Sequence, residues 1–201
     1  RRPMASVLRL HPFKTSVVLA TIKGACCDVL VQRGVERKSE LDLRRVAVFA
    51  SFSMMFTGVW QFVLFVRVMP RLCPAAEAFA AESLRKKITD ARGLRALATQ
   101  LFIENGINNP ILYFPCFYTV QAILHGDALT DGLVKYRKHY KEDILAIWRV
   151  WIPAQLLNFA CSPLWLRVPF TACVSFGWTA YVSFTRGAKH DDEPQLIAAE
   201  R

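Results

Sequence analysis

The chain has 201 residues, enough for one domain spanning 1–201, and 53% of them are hydrophobic against 21% charged. Mean hydropathy is positive and the charges lie between apolar runs, which argues for a multi-pass membrane protein and against a soluble globule. The net charge of +10 comes with no aromatic-interleaved basic patch and no finger or RNP-like motif; this argues against a nucleic-acid partner and points to anionic headgroups.

The expected fold is all-α: a transmembrane bundle with spans at 13–32, 46–69, 105–124 and 165–184, plus short amphipathic or broken helices. Residues 1–27 hold Arg1, Arg2, Arg9, Lys14 and Lys23 and no acid. Such a start matches the end of a mitochondrial transit peptide or a basic membrane flank. Pro12 suits the first turn of a helix. In the first span Gly24, Asp28 and Gln32 recur every four residues, so a helix places them on one face. An acid in a span is expensive and faces the bundle interior or a water-filled cavity. Lys23 is five residues from Asp28 and is not aligned to pair with it.

Gly34 to Arg45 reads as a short charged loop. Residues 46–66 then run without a charge between Arg45 and Arg67; at 1.5 Å per residue they cover roughly 31 Å, the thickness of the hydrocarbon core. Residues 75–96 interleave Phe79, Leu84 and Ile88 with Arg85, Lys86 and Lys87, the pattern of an amphipathic helix on the membrane surface or against a partner. Glu104, Asn105, Asn108 and Asn109 form a polar knot ahead of Pro110 and Pro115. It reads as a slanted or broken lead-in that must be buried in protein or water. Gly126 to Asp143 reads as a charged loop, followed by a short apolar helix at 144–162.

The C-terminal stretch is the most informative. Residues 150–166 and 168–185 are free of charge and meet near Pro163 and Arg167, where a straight helix is not expected. Trp151, Gln155, Asn158 and Ser162 stack on one helical face, a polar stripe suited to packing against other helices rather than lipid. Trp148-Arg149-Val150-Trp151-Ile152-Pro153-Ala154-Gln155, then Asn158-Phe159, Pro163, Arg167 and Trp178-x-x-Tyr181, resemble the C-terminal signature of the Mpv-seventeen and peroxisomal-membrane-protein-two (Mpv/PMP) family. Ile152, between the second Trp and the Pro, is as in the peroxisomal branch. His11-Pro12, Gly24, Asp28 and Gln32 resemble the family's N-terminal motif, with Cys27 in place of its Gly. Asp42-Leu43-Arg44-Arg45 is similar to its Asp-x-x-Arg entry to the second span, for which Arg44 is the candidate. Lys86 and Asp90 are similar to its Lys-x-x-x-Asp motif, and Gly58-Val59 stands where the family usually shows Gly-Pro.

The resemblance implies a small four-span protein of the mitochondrial inner membrane, with the peroxisomal membrane as the alternative, acting as a weakly selective solute channel lined by Asp28, Gln32, Gln155, Asn158 and Arg167. The departure at the second span favours a different expectation, an accessory structural subunit of a larger inner-membrane complex. No catalytic motif occurs, the four histidines are scattered, and the six cysteines show no C-x-x-C spacing. The expectation is therefore a non-enzyme with no metal and no cofactor. Its partners would be membrane lipids such as cardiolipin and other membrane-protein subunits. The acids Asp28 and Glu104 would be held by Gln155, Asn158 or Arg167 of a neighbouring helix, or would serve a proton or ion path. The cysteines read as packing thiols.

Overall fold

The computed structural model describes the backbone over 10–190 and side chains over 10–178. Within these bounds the chain is helical. Helix α1 runs Pro12–Val35 and α2 runs Leu43–Leu72. Three short segments follow: α3, Ala75–Ala81, α4, Leu84–Thr89, and the first part of α5, Ala91–Phe102. Helix α5 continues without a break to His125, α6 is Leu129–Cys161, and α7 is Leu164–His190.

Helices α1 and α2 form an antiparallel hairpin, α5 and α6 form a second, and α7 returns beside α6 and packs on α1. The 114–125 part of α5 touches the start of α2, which closes a ring of five helices. Small residues permit the closest approach. A Cβ built on Gly58 would lie 2.8 Å from Val17 Cα, and one on Gly24 would lie 2.5 Å from Ser53 Oγ. Such small-residue contacts are how helices pack where lipid offers no hydrophobic driving force. Outward-facing Val18, Ile22, Met55 and Leu157 are more than half exposed, an apolar surface suited to lipid.

Among the described residues, three helices are long and apolar enough to cross a membrane: Pro12–Val35, Leu43–Leu72 and Leu129–Cys161. The first two coincide with expected spans. The third corrects the reading of 126–143 as a charged loop and of 144–162 as a short helix. The turn there is only Gly126 to Ala128. Gly126 ends α5 with φ +79, the left-handed conformation that glycine adopts without strain. The Ala128 amide then donates to Asp131 Oδ2 at 3.3 Å and opens α6. The charged residues of 135–142 are good helix formers, and buried Gly132, Tyr136 and Asp143 hold this part of α6 against α5. The expected spans 105–124 and 165–184 are helical but are not among those three.

The lead-in at 97–109 is not broken. Its helix widens instead into π turns over Ile103–Tyr113, where the Phe114 amide bonds back five residues to the Asn109 carbonyl. Pro110 lacks an amide hydrogen and would clash with the carbonyl four residues back, and the wider turn accommodates it. The single surface helix expected at 75–96 is three helices, interrupted at extended Glu82 and Ser83 and at Asp90, whose carboxylate caps the next helix by accepting from the Arg92 amide at 3.1 Å. The loop expected from Gly34 begins at Glu36. Of the six cysteines only Cys27 and Cys73 are buried, so the packing reading holds for two of them and the other four face outward.

Candidate functional site

Three polar networks sit inside the bundle. The first joins α1 to the start of α2. Asp28 and Gln32 are 4% and 0% exposed. Gln32 Nε2 donates to Asp28 Oδ2 at 2.7 Å, and Arg45 Nε pairs with Asp28 Oδ1 at 2.9 Å. Gln32 Oε1 accepts from the Asp42 amide at 2.7 Å, and Asp42 Oδ1 caps α2 by accepting from the Arg45 amide. Arg45 Nη1 also reaches both oxygens of Glu36. Burial pushes the Glu36 carboxyl up, but hydrogen bonds and charge from Arg45 and Lys38 together outweigh it and hold it below the ordinary carboxylate range. The working arginine is thus Arg45, and Arg44 is exposed. The Asp42-x-x-Arg45 spacing carried that signal.

The second network surrounds Glu104, which is 1% exposed. Asn108 Nδ2 donates to it at 3.0 Å and Gln61 Nε2 at 3.3 Å. Trp60 Nε1 donates to Asn108 Oδ1, and Trp148 Nε1 to the Asn105 carbonyl at 3.0 Å. Neither acid is held by Gln155, Asn158 or Arg167, as the sequence had suggested. Their partners lie on other helices or one turn away.

The third network centres on Arg167, which is fully buried. Its Nη1 donates to Gln100 Oε1 at 2.8 Å and its guanidinium stacks 5.3 Å from the Phe159 ring. Asn158 Nδ2 bridges Gln155 Oε1, the Arg167 carbonyl and Thr171 Oγ1. The stripe of Trp151, Gln155, Asn158 and Ser162 is buried throughout, and Ser162 and Pro163 make the break between α6 and α7. Pro153 lies on the exposed side of α6.

Between these networks lies a cavity of about 180 Å³ lined by all five long helices. Of the residues singled out in the sequence, Gly24, Asp28, Trp151 and Trp178 line it; Gln32, Gln155, Asn158 and Arg167 pack behind or away from it. Its other polar groups include Lys23, Ser53, Thr57, Gln61, Glu104 and Thr171. Ser53, Thr57 and Gln61 recur every four residues of the second span, a stripe that the absence of charge had hidden. Gln61 Oε1 and Trp151 Nε1 find no hydrogen-bond partner among the described residues. Asp90 and Trp148 are outside the cavity wall, and the Tyr181 side chain lies outside the described residues. Among the described residues no group of three His, Cys, Asp or Glu side chains could hold a metal ion.

Residues 122–183, the last turn of α5, all of α6 and most of α7, match the model of the Mpv17 / PMP22 family. The mitochondrial inner membrane protein Mpv17 of Rattus norvegicus is 25% identical over 91% of this chain and 95% of its own length. Protein sym-1 of Neurospora crassa is 26% identical over 90% of this chain and 95% of its own. These matches support membership of the Mpv17 / PMP22 family. No solved structure matches. The family match contains every singled-out residue from Trp148 to Tyr181, so it covers the Arg167 network apart from Gln100 and one wall of the cavity. The relatives named for the mitochondrial inner membrane agree with the location expected from the sequence.

Proposed function

We propose that this Mpv17 / PMP22 family member is a non-enzymatic protein of the mitochondrial inner membrane that passes small polar solutes through the cavity between its helices. The observation that carries this reading is the cavity itself. About 180 Å³ of space with charged and amide side chains in its wall lies inside a bundle of membrane-length helices. Polar and ionisable groups are costly at that depth and mark substrate or ion paths. Thr57, 8% exposed, contributes its side chain to the wall from α2. In proteoliposomes the native chain is expected to speed glycerol efflux, and Thr57→Phe, which fills the space, to lower the rate about tenfold by raising the barrier. Efflux no faster than from empty liposomes would sink the reading.

A second reading, an accessory subunit of a larger complex, is favoured by α4. Leu84 and Ile88 share one face, four residues apart, and are 73% and 76% exposed, outside the three helices of membrane-crossing length. Digitonin-solubilised membranes on a native gel test it. Migration with a large assembly, shifted to the free chain by Leu84→Glu with Ile88→Glu, is the expected outcome, and migration of the native chain alone would refute it.

A further inference from the structure

We propose that the cavity binds a small zwitterion, a molecule of amino-acid size carrying one carboxylate and one ammonium group. The inference rests on the solute reading and names the class of solute.

Two ionisable side chains line the cavity without an ionic partner. Lys23 enters from α1, and the ion pairs among the described residues are Lys38–Glu36, Arg45–Asp28, Arg45–Glu36 and His139–Glu142, none of which involves it. Glu104 enters from α5, and the donors it receives are the neutral amides of Gln61 and Asn108. The third charged group in the wall, Asp28, is already matched by Arg45 and Gln32. The cavity wall therefore carries two ionisable groups without a counter-ion. One is the Lys23 amine. The other is the Glu104 carboxyl, bonded to Gln61, whose Oε1 has no hydrogen-bond partner among the described residues. Lys23 and Glu104 do not pair with each other within 4 Å.

Either group is expensive to hold ionised in a bilayer interior without a counter-charge. A lone anion would satisfy Lys23 and leave Glu104; a lone cation would do the reverse. A molecule with both charges supplies a counter-charge to the two groups together. The size agrees. At about 30 Å³ for each water the cavity holds roughly six, the space of a short amino acid, and the rings of Phe52, Tyr113 and Phe117 offer an apolar wall for its side chain.

The test uses the purified full chain and three small probes: L-alanine, propionate and ethylamine. Binding is read by displacement of labelled alanine and by thermal shift in detergent. L-alanine is expected to bind at least about tenfold more tightly than either singly charged probe. Lys23→Met is expected to weaken alanine and propionate about tenfold and to leave ethylamine unchanged; Glu104→Gln is expected to weaken alanine and ethylamine and to spare propionate. Lys23→Arg, which keeps the charge, is expected to retain alanine binding and guards against a variant that merely folds badly. Alanine binding no tighter than propionate or ethylamine, or unaffected by Lys23→Met, overturns the inference. If glycerol crosses proteoliposomes while alanine shows no preference, only the zwitterion assignment fails. If neither probe crosses or binds, the solute reading fails with it.

Discussion

Arg45→Met is expected to destabilise the folded protein by about 3 kcal/mol, the lower end of the cost of stranding one member of a buried ion pair. Asp28 keeps only 3% of its side chain exposed, and Arg45 Nε lies 2.9 Å from its Oδ1. Met matches the length of the Arg stem and removes the charge. The Asp28 carboxylate would then rely on Gln32 Nε2 alone, and Glu36 would lose both bonds to Arg45 Nη1. The lower end of the range applies because Arg45 retains 22% exposure, so water can partly replace it. The decisive comparison is the double variant Asp28→Asn with Arg45→Met. It leaves no stranded charge and is expected to recover more than half of the loss in melting temperature. A single variant as stable as the native chain, or a double variant worse than the single, would mean that the pair does not hold α1 to α2.

That network also marks where sequence reasoning reached and where it stopped. The face of Gly24, Asp28 and Gln32 was legible because helical periodicity is local, and all three are buried. The stripe of Trp151, Gln155, Asn158 and Ser162 was legible for the same reason. The partners were not. Glu104 meets Gln61, 43 positions away, and Arg167 meets Gln100, 67 positions away; spacing along one helix says nothing about which helix stands opposite. The choice of Arg44 over Arg45 was an error of one position, which on a helix turns a side chain by about 100° and takes it from the Asp28 side to the exposed side.

Charge density does not mark irregular structure in this chain. Residues 135–142 are mostly charged, yet nothing in them breaks a helix, and the buried anchors Tyr136 and Asp143 are set among them. Tyr136 donates its hydroxyl to the Pro110 carbonyl at 2.8 Å, and Tyr118 donates to Asp143. Those bonds tie the first turns of α6 to α5. The π turns at Met54–Trp60, Val63–Val68 and Ile103–Tyr113 had no sequence signal beyond Pro110. They rotate the side chains that follow, and so they help set which residues of α2 and α5 reach the cavity.

Gly24→Leu is expected to cost about 3 kcal/mol, the upper part of the range for overpacking a tight contact. A Cβ at this position would stand 2.5 Å from Ser53 Oγ, 2.6 Å from Ser53 Cβ and 2.7 Å from the Phe49 carbonyl oxygen. The first two belong to a side chain that could be trimmed, but the third is backbone, so the helices themselves must separate. Ser53→Gly in the same chain is therefore expected to return only part of the stability. The separation also has a functional reading, because Gly24, Phe49 and Ser53 all line the cavity. Wedging α1 from α2 would widen that wall and pull Asp28 from Arg45, so the surviving folded fraction should leak glycerol faster than the native chain while melting at a lower temperature. A Gly24→Leu chain with native melting temperature and native efflux would show that α1 and α2 do not approach as closely as this contact requires.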